Sequence, residues 1–475
     1  MLNIADSNSQ KPKNYEKYIV VAISALALSA SILSLISNEY KLTVIFLCFP
    51  FFVFLVINFE KYYEYYLIFF LFFGMYFYWP LRLQFILVLS IITLFFFFLN
   101  SKSKNLNDFS IPKSIKISSV LLIASVFTSE LFSVHLTLQS LYFSFLFVIF
   151  ISTGYIFFRS VKNAEKIESF LKFFILSFSF TGLIIIFQIL LTGNIRSVGF
   201  AGYAIIDFSV ISLLILLFRF FILKTSGLLM KVSLVITIII LITTQSRFAW
   251  LGFILSFLYG IILCYTKSGE VKTFLKKRMP LLIVLSLILG GIILMSGLNN
   301  IILKRFTEID FNFFSKEDDK VMVANSLETR LLIWIVAYNA FIQNPITGVG
   351  YMMFSEVSEH YNVVPQMLFD DYVYGLDAHT TFYNFLVETG IIGFSAFLIF
   401  ISIIFLISFK SIGLSREYND KSNSLILNIL VFFIFVQSIY SGAFTFGQNA
   451  FAMYIIFGIT AGNYVLLKNK YAHVV

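Results

Sequence analysis

Charge is what this sequence has least of. Only 12% of its 475 residues are Asp, Glu, Lys or Arg, while 59% are hydrophobic. Soluble domains carry roughly 25% charged residues, so an ordinary water-soluble globule is excluded. Cysteine is nearly absent, and both copies, Cys48 and Cys264, fall within apolar runs. Neither a disulfide framework nor a cysteine metal site is implied. Strict alternation is also missing: a run such as Ile238-Ile239-Ile240-Leu241-Ile242 does not alternate as the ~10-residue strands of a membrane barrel do.

What fills the chain is a series of apolar stretches close to the ~20 residues that carry a helix across ~30 Å of hydrocarbon. The pattern predicts an all-α polytopic membrane protein with about fourteen spans, near 18–37, 42–58, 65–80, 83–100, 117–134, 138–158, 170–192, 203–223, 229–245, 248–266, 280–297, 385–409, 424–446 and 449–467. The first span follows a polar stretch with no convincing cleavage site, and we expect it to stay as a signal anchor. The 61 phenylalanines read as lipid-facing bulk.

The basic residues orient the bundle. Sorted by alternate loops, about 25 of the 34 Lys and Arg fall on one side, among them Lys11, Lys13, Lys102, Lys104, Lys276 and Arg278. The other side holds Lys41, Arg82, Arg196, Arg247, Lys304, Arg305, Lys316, Lys320 and Arg330. The positive-inside rule makes the first set cytoplasmic and places both termini there. The net charge of +9 is then a matter of orientation, and no nucleic-acid partner follows from it.

Most connections are short. The exception divides the chain into an N-terminal membrane bundle (1–297), one large outer loop (298–384) and C-terminal membrane helices (385–475). Glu308 to Lys320 is an acidic, solvated run. Thr329 to Gln343 places Leu331, Leu332, Trp334, Ile335, Tyr338 and Phe341 at roughly helical spacing, a helix too short to span and suited to the membrane surface or to packing on the bundle. Asn344-Pro345 should end it. No internal repeat is visible, which argues against a secondary transporter.

Chemistry is expected near this loop. Arg196, Arg247 and Arg330 are outer-side arginines, and a planar guanidinium there suits bidentate binding of phosphate oxygens. An arginine that snorkels to mark a helix end is the alternative. Of four histidines, His379 is the strongest base, with His360 in the same loop as its competitor and His135 and His473 elsewhere. If Asp377 caps the following helix, His379 falls in its first turn, where the positive helix end favours neutral imidazole. Gly348-Val349-Gly350 could approach a phosphate with backbone N–H groups, but it is neither a P-loop nor a Rossmann fingerprint, and a plain turn is the better reading. The loop has no HExxH, CxxC or Asp-x-Asp, so we expect metal-independent chemistry without a cofactor.

The order of these elements resembles the O-antigen ligase and Wzy-type polymerase superfamily of bacterial envelope glycosyltransferases. The resemblance lies in Glu328-Thr329-Arg330 with Trp334, Asn344-Pro345-Ile346-Thr347-Gly348-Val349-Gly350, Ala378-His379, and Leu386-Val387-Glu388-Thr389-Gly390-Ile391-Ile392-Gly393. Ser246-Arg247, and Arg196 followed by Gly199-Phe200, fit upstream. It implies a GT-C-like fold and an inverting transfer from an undecaprenyl-diphosphate-linked oligosaccharide. Arg247, Arg330 and Arg196 would engage the diphosphate, and His379 would assist the acceptor hydroxyl. One departure is Thr380, where the family commonly has Asn after the histidine; Asn384 lies five residues downstream of His379 as a candidate replacement.

The expected function is a polymerase that joins lipid-linked repeat units in the bacterial inner (plasma) membrane, with a chain-length regulator as an expected partner. The near alternative is an O-antigen ligase that moves the glycan to lipid A–core. A flippase for lipid-linked oligosaccharide would instead need charge within the spans, where Glu130 and Asp207 are the main candidates. A scaffold would tolerate loss of Arg247, Arg330 and His379 together.

Overall fold

The computed structural model describes residues 64–65, 67–69, 71–72, 110–133, 135–193, 204–220, 227–267, 326–442 and 447–471. Among these residues the secondary structure is entirely helical. The helices are α1 (Lys113–Phe132), α2 (Leu138–Ser160), α3 (Ala164–Thr192), α4 (Ala204–Phe218), α5 (Leu228–Thr243) and α6 (Arg247–Lys267). The loop contributes α7 (Ser326–Gln343), the short α8 (Phe354–Val357) with a 3-10 turn at Ser358–Tyr361, and α9 (Gln366–Tyr372). Helices α10 (Thr381–Leu414), α11 (Tyr418–Tyr440) and α12 (Gly447–Tyr471) close the chain.

Seven of the described helices (α1, α2, α3, α6, α10, α11 and α12) are long and apolar enough to cross a membrane. Helices α4 and α5 are apolar but shorter, at 15 and 16 residues. The expected spans 18–37, 42–58, 83–100 and 280–297, and most of 65–80, lie outside the described residues. Exposed apolar side chains such as Leu251, Ile254, Leu258 and Ile262 fall on one face of α6, as lipid contact requires. Helices α11 and α12 are largely buried within the bundle.

Local chemistry sets the helix ends. Thr137 and Ser140 form a reciprocal capping box at α2, and Asn163 accepts from Lys166 N–H at the start of α3. Helices α2 and α12 cross closely because Gly154 and Gly458 face each other, where a Cβ on either would overlap backbone. Helix α7 stops at Gln343, directly before Asn344-Pro345, because the residue before proline disfavours the α region.

The loop builds a second, smaller core in which Ile333, Val336 and Ala340 of α7 pack with Phe354, Phe369 and Val387. It is joined to α10 at a kink. Gly390 takes φ 62° inside α10, and a Cβ there would overlap the Ile346 carbonyl. The freed N–H groups of Ile391 and Ile392 donate instead to Pro345 O (2.9 Å) and Ile346 O (3.4 Å). After the kink, residues 391–414 of α10 extend ~36 Å at 1.5 Å per residue, enough on their own to cross the ~30 Å hydrocarbon core. Its first turns therefore stand clear of the lipid and carry the loop.

Candidate functional site

One cluster gathers where α7, the start of α6, the end of α11 and the start of α10 meet. Arg247 is the first residue of α6 and half-buried. The turn before it is made by Gln245 in the left-handed region (φ 53°), and the Ser246 hydroxyl accepts from Ala249 N–H at 3.3 Å. Arg330 comes from the opposite side, on α7. Its guanidinium lies over the Phe248 ring, 3.9 Å from Cζ to centroid, and Nη1 donates to the Tyr440 carbonyl at 3.0 Å. Phe248 in turn stacks on Tyr440.

Electrostatics tie these groups together. Burial lowers the Arg330 pKa to about 10, with Asp377 opposing the drop and Arg247 adding to it. Arg330 is still cationic at neutral pH. Two arginines close enough to repel one another, with a carboxylate beside them, form a positively biased site fit for an anion.

The carboxylate belongs to a dyad. His379 Nδ1 and Asp377 Oδ1 are 2.5 Å apart, and the His379 backbone N–H also donates to Asp377 Oδ1 at 3.3 Å. Asn384, fully buried, donates from Nδ2 to Asp377 Oδ2 at 3.2 Å and accepts from Ala378 N–H at 2.8 Å. Gly442 closes the other side: a Cβ there would lie 2.5 Å from Asp377 Oδ2. Partial burial raises the Asp377 pKa, but the bonds from His379 and Asn384 outweigh it and the carboxyl sits below its ordinary range. A carboxylate on Nδ1 assigns the proton to that nitrogen and leaves Nε2 free to accept. The two side chains are about one-third exposed, 33% for His379 and 37% for Asp377.

The backbone here corrects the sequence reading. Thr380, not Asp377, caps α10, its hydroxyl accepting from Tyr383 N–H at 2.9 Å. His379 therefore precedes the helix, at φ 57°, rather than lying in its first turn. Both Asp and Thr are strong N-caps; Thr380 prevails because Asp377 is already committed to His379 and Asn384. The sequence had no way to show Asp377 as the partner of the imidazole, although a carboxylate two residues before a histidine is a signal worth weighing. Asn384 bonds Asp377, not His379.

The competing histidine is elsewhere. His360 stacks on His135, with centroids 4.9 Å apart and ring planes 10° from parallel, in a contact between the loop and the α1–α2 turn. His473 and Arg196, with Gly199 and Phe200, lie outside the described residues. The Gly348-Val349-Gly350 segment is a turn whose N–H groups donate to Asn344 O, Val387 O and Glu388 O, so it offers no phosphate cradle.

Buried charge within the spans is more abundant than the sequence reading allowed. Besides Glu130 and Asp207, Glu388 and Arg219 are buried. Asn449 donates to Asp207 at 2.7 Å, and Arg219 pairs with Glu168 at 2.5 Å at the far end of the bundle. Among the described residues no group of three or more His, Cys, Asp or Glu converges as a metal set would.

Residues 232–398 match the family model described as O-antigen ligase. The matched stretch runs from α5 into α10 and contains Arg247, Arg330, Asp377, His379 and Gly390. The match covers about a third of the chain and makes this stretch similar to that family. No curated protein matches the chain.

Proposed function

We propose that the chain transfers a glycan from a polyprenyl diphosphate carrier, undecaprenyl diphosphate in a bacterial plasma membrane, to a sugar hydroxyl on the outer face. The observation that carries this reading is the Asp377–His379 dyad standing beside two arginines. The acceptor oxygen attacks the anomeric carbon as the bond from that carbon to the diphosphate breaks, which inverts the centre. The electron pair leaves on the diphosphate, where Arg247 and Arg330 meet the growing charge. His379 Nε2 takes the acceptor proton, and Asp377 stabilises the imidazolium that results. Arg196 is a further candidate for the diphosphate. Both termini lie in the cytoplasm in this reading.

The acceptor separates two versions. A polymerase adds the glycan to another lipid-linked repeat, and a chain-length regulator would accompany it; this version rests on the span count and the single large loop. A ligase adds it to lipid A–core, and the matching family description favours that version.

The test is the surface-glycan profile of a deletion strain complemented with wild type or His379→Ala. In a lipopolysaccharide-making host, single-repeat caps on the core mean polymerase. Full-length polymer left on its carrier, with bare core, means ligase. A normal ladder from His379→Ala at equal protein level would remove His379 as the base.

A further inference from the structure

Helix α7 has one face that is left open among the described residues. Leu331, Ile335, Tyr338 and Ile342 recur at intervals of four, three and four residues, and each is 38 to 56% exposed. That spacing defines a single stripe along the helix. Its opposite face, with Leu332, Ile333, Val336 and Ala340, is fully buried in the loop core. From Leu331 to Gln343 there is no charged residue at all. A helix facing water would carry polar side chains along this stripe.

The ends of α7 indicate what covers it. At one end Arg330 is fixed to Phe248 and to the Tyr440 carbonyl, at the ends of the membrane-crossing α6 and α11. At the other, Pro345 and Ile346 accept from Ile391 and Ile392 of α10. The stripe continues through exposed Ile346 onto Ile391 and Ile392. From there Ile392, Ile399 and Leu406, spaced by seven residues and exposed, run down α10. These three lie on the part of α10 that crosses the membrane, so the α7 stripe is continuous with a lipid-facing surface.

We propose that α7 lies in the membrane surface on the side of the site, its Leu331–Ile342 stripe sunk about 5–10 Å into the boundary between headgroups and acyl chains. The occupant of the uncovered face is lipid. Because Arg330 sits at the edge of this stripe, the same contact fixes the guanidinium at headgroup depth; taken with the proposed function, that is the level at which a lipid-borne diphosphate arrives.

The experiment reads depth, not glycan transfer. Ile335→Cys and Ile342→Cys, in full-length protein with Cys48 and Cys264 replaced by Ala, carry a nitrobenzoxadiazole dye in nanodiscs containing lipids brominated in the upper acyl chain. The lipid bromines should quench both positions roughly twofold or more, and aqueous iodide should have little effect. Glu359→Cys, exposed on the same loop, should behave in the opposite way. Iodide quenching at 335 and 342 equal to that at 359 overturns the proposal. Indifference to both quenchers also overturns it, because protein, either the rest of the chain or a second copy, then covers the stripe. If the cysteine variants do not fold, wild-type protein in nanodiscs with a lipid carrying a diazirine in its upper acyl chain should be labelled within 331–346, and its absence there counts against the idea. Either result is independent of His379: a His379→Ala protein that still transfers glycan removes the proposed reaction and leaves this placement intact.

Discussion

Asp377→Asn replaces one oxygen and changes the state of the imidazole two residues on. An amide no longer fixes the proton on Nδ1 or supports an imidazolium, so glycan transfer should fall by roughly 10²-fold or more with folding preserved. A variant within a few-fold of wild type, measured at matched protein level, would mean the contact is only structural. The same carboxyl sets an acid limit. Its folded pKa lies below the ordinary value, so its contribution to stability is complete above the unfolded value of ~3.9 and is lost as pH falls through the folded one. Neutral and mildly acidic media should leave the loop intact. Melting curves that weaken between pH 7 and 5 through this residue, judged against Asp377→Asn, would contradict that. Arg330 makes a second prediction at this scale. A lysine keeps the charge but loses the flat face over Phe248 and the second donor to an anion, so Arg330→Lys should lower transfer at least ~10-fold. Full activity in that variant would reduce Arg330 to a plain charge.

At the scale of elements, the hinge is the joint between α10 and the 344–350 turn. Gly390→Ala puts a Cβ on a left-handed backbone and against the Ile346 carbonyl. It should cost at least ~1–2 kcal/mol and lower the melting temperature in detergent. An unchanged melt would mean the kink is not held in solution. Helices such as α7 were legible because apolar periodicity and a following Asn-Pro mark both body and end. The cap of α10 was misread, because Asp377 and Thr380 are both good N-caps and only tertiary contacts decide between them. The Gly348–Gly350 segment reads as a turn from its glycines, but two of its three N–H groups are spent on α10, a pairing between residues ~40 apart that no local rule reveals. Asn384 stands out in the sequence by its type and place, while its grip on Asp377 exists only once the chain folds back.

For the whole molecule, hydropathy located the spans that the structure describes to within about six residues at either end, since lipid leaves little freedom in how a crossing helix is built. Which side faces out is a separate matter, resting on the basic residues. A membrane-impermeant maleimide should label Glu359→Cys in intact cells, and Glu417→Cys, at the opposite end of the bundle, only after permeabilisation. The reverse pattern would invert the orientation and put the site in the wrong compartment for the proposed reaction. The buried groups Glu388 and Arg219 escaped the sequence reading because charge near a predicted helix end looks like a boundary marker until neighbouring helices enclose it.

The end of α11 grips the site through main-chain atoms. Tyr440 O receives Arg330, and Ser441 O receives both the N–H (2.8 Å) and the hydroxyl (2.7 Å) of Thr381. Every residue type supplies the same carbonyl. A side-chain scan leaves both carbonyls in place. A one-residue deletion or insertion between α11 and α12 is a different event, since it moves the carbonyls themselves. Engineered exchanges between related chains should accordingly keep the loop and the last two helices as one block, with joints placed before α7 and not between α10 and α11.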